Sequence, residues 1–150
     1  MSPNLIFLPV LVQVLLTIAV YLRLARAKAA AAENAQVDEA RRALHADAWP
    51  DSVIQVNNSI RNQFEVPVLF YVLVVVLWAC KATDVVAHGV AWAFAISRLV
   101  HAYVHTGKNV VAIRRRIFTF GVVMVVAMTV LAGRAVLMAP HANSAAMSPP

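Results

Sequence analysis

From Leu5 to Leu22 the chain runs for 18 residues without a charged side chain. Roughly 20 apolar residues in a helix cross the 30 Å of a bilayer's hydrocarbon, and few soluble cores can absorb such a run on every face. The rest of the 150 residues repeats the signal: 61% are hydrophobic, 13% are charged, and the mean hydropathy is +0.72. A soluble domain carries about a quarter charged residues, and a disordered chain needs more charge still to remain solvated. The sequence therefore describes an integral membrane protein. Cys80 is the only cysteine, which excludes an intrachain disulfide.

Four spans are expected, at about 4–24, 58–80, 85–105 and 114–138, with a disordered tail over 140–150. Pro3 and Pro9 fall in the first turns of the first span, where a missing N–H is tolerated. A cleaved leader fits poorly, because no lysine or arginine precedes the first run and the arginines follow it. Lys81-Ala82-Thr83-Asp84 makes a polar turn in which Asp84 or Thr83 can cap the third helix. Thr106-Gly107-Lys108-Asn109 separates the third span from the fourth. The long polar connection, Arg23 to Asn57, has an Ala-rich stretch over Ala27–Ala48 that favours helix, and Asp51 or Ser52 can cap a second helix restarting after Trp49-Pro50. The fold class is all-α: a membrane-embedded four-helix bundle forming one domain.

The net charge of +6 could indicate nucleic acid, but that requires basic residues gathered on a solvated face. Here they flank the spans. Arg23, Arg26, Lys28, Arg41, Arg42 and Arg61 belong to the first loop and its borders, and Lys108, Arg114, Arg115 and Arg116 to the third, making ten of the 13 lysines and arginines. The positive-inside rule puts these two loops in the cytoplasm and both termini outside. The partner this implies is the bilayer, not nucleic acid.

Charges inside spans are costly, so the few present mark a site or an internal pair. Arg61, Asn62 and Glu65, at i, i+1 and i+4, share one side of a continuous second helix. Arg98, His101 and His105, at i, i+3 and i+7, form a stripe on the third. At 1.5 Å per residue, Glu65 and Arg98 lie at about 22 Å and 20 Å from the outer boundary, at one level in the cytoplasmic half. They are expected to face protein or a wet cavity and to pair. A Glu–Arg pair also serves simply to hold helices together, and isolated arginines at helix ends snorkel to the interface in any membrane protein. Two histidines at i, i+4 without further ligands do not make a metal site, and no metal is expected.

Arg61-Asn62-Gln63-Phe64-Glu65 followed by Pro67, then Arg98-Leu99-Val100-His101, then Arg114 ahead of the fourth apolar run, resembles the MAPEG family, membrane-associated proteins in eicosanoid and glutathione metabolism, and within it the bacterial branch. The resemblance spans all four helices. It implies a homotrimer of four-helix subunits with glutathione as cosubstrate near the cytoplasmic side. It also implies that Arg61, Asn62, Glu65, Arg98, His101 and His105 bind or frame the glutathione, and that Arg114 stabilises its thiolate as the catalytic residue. The activity implied is that of a glutathione transferase or peroxidase acting on apolar electrophiles or lipid hydroperoxides. His105 and Phe118 stand where eukaryotic members have tyrosines, Asn58 where they have an arginine, and Arg115 where a hydroxyl could help activate the thiol. A non-catalytic trimeric lipid-binding or scaffold protein is the alternative that these differences leave open.

Overall fold

A computed structural model of the protein describes residues 2–139, so the tail expected to be disordered lies outside the described residues. A short 3-10 turn, Pro3–Phe7, leads into helix α1, Leu8–Glu33. Beyond it come α2, Asp51–Gln63; α3, Val66–Ala79; α4, Val85–Thr106; and α5, Val111–Met138. Taken with the turn before α1, and with α2 and α3 as one unit, these make four helices long and apolar enough to cross a membrane.

The second span is not one rod. Pro67 has no N–H to give the carbonyl of Gln63, and its ring crowds that carbonyl, so the ladder stops at Gln63 and restarts at Val66. Phe64 N–H closes a tight turn on the Arg61 carbonyl at 3.0 Å, and Glu65 takes φ −93°, ψ −95°. Residue 65 thereby leaves the helical face that i, i+4 spacing assigns it. The same unit begins earlier than residue 58, and its N-cap is Pro50, with neither Asp51 nor Ser52 capping by side chain.

The Ala-rich connection is helical only as far as Glu33. Ala35 takes φ +53°, and Gln36 N–H turns back to the Ala31 carbonyl at 3.0 Å, closing the helix in a Schellman arrangement. Past that point the chain continues as turns to a short 3-10 stretch, Ala46–Ala48, with Val37 packed against the second apolar cluster. At the opposite end of the bundle Asp84 caps α4, its Oδ1 accepting from Ala87 N–H at 2.8 Å.

The interior has two apolar clusters. One is built from Ile6, Phe70, Val74, Leu77, Phe94 and Met128, with Phe70 and Phe94 stacked 4.4 Å apart. The other, nearer the long connection, holds Val20, Leu24, Val53, Val56, Ile60 and Ala102. Between them lies a buried polar layer of Gln13, Ser59, Gln63, Ser97, Arg98 and His101. Large apolar side chains such as Leu15, Leu22, Val72, Val85 and Val130 point outward, as hydrocarbon-facing helices require.

Candidate functional site

Helix α4 carries the stripe inward: Arg98, His101 and His105 are all buried. Arg98 is 0% exposed, and its side chain's only polar contacts among the described residues are long, Nη2 donating to the Asn62 carbonyl at 3.4 Å and standing 3.5 Å from His101 Nδ1. Its guanidinium carbon sits 5.5 Å from the centre of the Phe118 ring, a cation–π contact across to α5. Nε and Nη1 have no partner among the described residues. Helix α5 comes this close because residue 121 is glycine: a Cβ there would lie 3.2 Å from Ser97 Oγ and 3.8 Å from Arg98 Cδ.

The expected Glu65–Arg98 ion pair is not formed. Among the described residues the ion pairs within 4.0 Å are Arg41 with Asp38 and Asp47, and Arg42 with Glu39, all in the long connection. The break before Pro67 is the reason: it turns Glu65 into an exposed position while Arg98 stays sealed beneath Asn62 and Phe118.

Two side chains fasten the loop that precedes Arg114. Gln55 Nε2 donates to the carbonyls of His105 and Gly107 at 2.7 and 2.8 Å, and Arg23 Nη2 donates to the Thr106 carbonyl at 2.6 Å. Carbonyls left open at the C-terminus of α4 are thus satisfied from α2 and α1. The chain then turns through Asn109, at φ +50°, a conformation asparagine tolerates better than most residues. Asn109 Oδ1 in turn accepts from Arg114 Nη1 at 2.7 Å, aiming a guanidinium in the first turns of α5. Asn62 Nδ2 lies 3.2 Å from His105 Nδ1, joining α2 to α4; with the amide donating, the ring's own proton sits on Nε2.

A cavity of about 250 Å³ opens at this end, lined by Asn58, Arg61, Asn62, Glu65, His105 and Arg114. A second, of about 290 Å³, has His101, Val111, Arg115 and Phe118 in its wall and shares Asn62 and Arg114 with the first. Six of the seven residues singled out by spacing and resemblance therefore border one composite pocket. The seventh, Arg98, lies behind its wall in contact with Asn62, His101 and Phe118. Among the described residues nitrogen donors dominate the lining, Glu65 is the one carboxylate, and no hydroxyl or thiol side chain borders either cavity. Such a pocket suits a polyanionic ligand with a polar body.

Other members of the polar layer were not foreseen. Gln13 Nε2 donates to Gln63 Oε1 at 2.7 Å, both side chains being fully buried, while Gln13 Oε1 and Ser59 Oγ have no partner among the described residues. Their signal in the sequence was faint: amides in otherwise apolar runs, uncharged and without a motif.

The family model of the MAPEG family matches residues 6–134. The chain belongs to the MAPEG family. No curated protein and no solved structure gives a match. The matched stretch takes in most of each of the four membrane-crossing units and every residue of the composite pocket. This MAPEG chain is accordingly an integral membrane protein of an all-helical bundle type, with a function in the glutathione- and eicosanoid-related range of its family.

Proposed function

We propose that this MAPEG protein is a membrane-bound glutathione transferase or peroxidase, working on apolar electrophiles or lipid hydroperoxides that reach it through the bilayer. The observation that carries this reading is the gathering of Arg61, Asn62, Glu65, His105 and Arg114 around one cavity, with His101 in the adjoining one. Glutathione has two carboxylates, an ammonium and a thiol; the arginines suit the carboxylates and Glu65 suits the ammonium. A thiol with an ordinary pKa of about 8.5 is mostly protonated at neutral pH. Bringing that value to about 6.5 takes about 2.7 kcal/mol of preferential stabilisation of the thiolate, within the range of an oriented guanidinium. Arg114, held by Asn109, supplies it. In transfer, the thiolate sulfur forms a bond to the electrophilic carbon and the leaving group departs with its electron pair. In peroxide reduction, two thiols become a disulfide while the hydroperoxide becomes an alcohol and water.

The working unit in this proposal is the homotrimer implied by the resemblance, seated in a bacterial inner membrane with the pocket on the cytoplasmic side. Purified protein in mild detergent is expected to bind glutathione saturably by calorimetry, to conjugate chlorodinitrobenzene, and to cross-link to a three-subunit band. Arg114→Ala is expected to lower kcat/KM about 10²-fold, the usual loss on removing one preorganised donor. Absence of saturable binding overturns the transferase reading; unaltered turnover in Arg114→Ala overturns that residue's role; cross-linking that stops at monomer overturns the trimer. One observation favours a second reading, a trimeric lipid-binding or scaffold protein without catalysis: with no hydroxyl lining the pocket, thiol activation rests on arginine alone.

A further inference from the structure

On the other side of α4 from the composite pocket, α4 and α5 enclose a groove of about 430 Å³. Ala93, Ile96, Val100, Ile117 and Phe120 form its walls, Ser97 its floor. The serine hydroxyl already donates to the Phe94 carbonyl at 2.6 Å, so the floor offers no free donor. A single charge borders it, Arg116, exposed and without an acidic partner within 4.0 Å among the described residues. The two helices are antiparallel across the short loop after Thr106, so Arg116 and Val100 stand at the same end, and Ala93 and Phe120 lie deeper. From Val100 to Ala93 the helix rises roughly 10 Å. The groove thus has a cation near the polar boundary and a hydrocarbon trough running inward from it.

We propose that this groove is a binding site for one anionic phospholipid of the surrounding leaflet, its phosphate on Arg116 and an acyl chain in the trough. Charge complementarity decides between occupants. A second copy of the chain would have to bring a carboxylate to Arg116, and of its seven acidic residues only Glu65 lies at a comparable depth within a span, where it already borders the composite pocket. A phospholipid supplies the anion and the apolar chain together, from the medium that the outward faces already contact.

Native mass spectrometry of the purified protein tests this, with dioleoyl phosphatidylglycerol and dioleoyl phosphatidylcholine added at equal concentration. Phosphatidylglycerol adducts are expected to exceed phosphatidylcholine adducts about fivefold, the preference one interfacial arginine gives. The preference is expected to vanish in Arg116→Gln, to persist in Arg116→Lys and in the distant control Arg26→Gln, and adducts of both lipids are expected to fall in Val100→Trp, which fills the trough. Equal retention of the two lipids by the wild type, or an unchanged preference in Arg116→Gln, overturns the proposal. So does a Val100→Trp protein that keeps its lipid preference but changes its oligomeric state, because the groove is then an interface between copies. Arg116→Gln leaves the helix and the trough intact, so the result does not depend on the bulkier variant folding.

Discussion

At the scale of single residues, the polar layer holds groups whose structural and functional roles can be separated. Arg98 is fully buried without a carboxylate partner among the described residues, and two of its nitrogens, Nε and Nη1, are unsatisfied there. A buried charge in that condition is a poor source of stability, and an apolar side chain of similar length often serves the fold equally well. Arg98→Met is therefore expected to leave the thermal midpoint in detergent unchanged or raised, while weakening glutathione binding at least tenfold. A midpoint lowered by several degrees with binding intact would reverse that assignment and make Arg98 helix glue. The Gln13–Gln63 bond gives the opposite expectation. Gln63→Leu strands the Gln13 amide in an apolar interior at about 1–3 kcal/mol, and adding Gln13→Leu is expected to restore most of it. Chemical unfolding of the two single variants and the double variant closes that cycle.

At the scale of elements, the site depends on two close approaches. The first is α5 against α4 at Gly121. Gly121→Val puts a Cβ 3.2 Å from Ser97 Oγ and adds two methyl groups to a space already bounded by Arg98 Cδ, with an expected loss of about 1–3 kcal/mol and separation of Phe118 from Arg98. The fluorescence-monitored midpoint of unfolding reads this; an unaltered midpoint would mean the helices have slack at this level. The second is the interruption at Phe64–Glu65. Asn62 stays on α2 facing His105, while Glu65 moves to the lip of the cavity rather than toward Arg98. The residues remain together, but their pairing is not what helical spacing implies.

At the scale of the whole molecule, the ends of the bundle differ in kind. Arg23, Gln55 and Arg114 meet around the loop joining α4 to α5, whereas Lys81 and Asp84 mark the other end. From the charge bias we propose that the first end faces the cytoplasm. In a Cys80→Ser background, Lys81→Cys is expected to react with a membrane-impermeant maleimide in intact spheroplasts, and Lys108→Cys only after permeabilisation. Labelling in the reverse order inverts the topology and places the composite pocket outside.

What sequence alone determined is the number of spans and the bundle class, together with the grouping of Arg61, Asn62, Glu65, His101, His105 and Arg114 at one end. These rest on hydrocarbon thickness and helical rise, quantities that do not depend on neighbours. The family was legible too, because its motifs are contiguous in the chain. Tertiary structure decided the rest: that Glu65 and Arg98 do not pair, that Asn109 aims Arg114, that Asn58, Arg115 and Phe118 complete the walls, and that Gln13 bonds Gln63. Each depends on where one helix breaks or how closely two approach. A proline's missing N–H and a glycine's missing Cβ set those distances, and they act through partners that a linear pattern does not name.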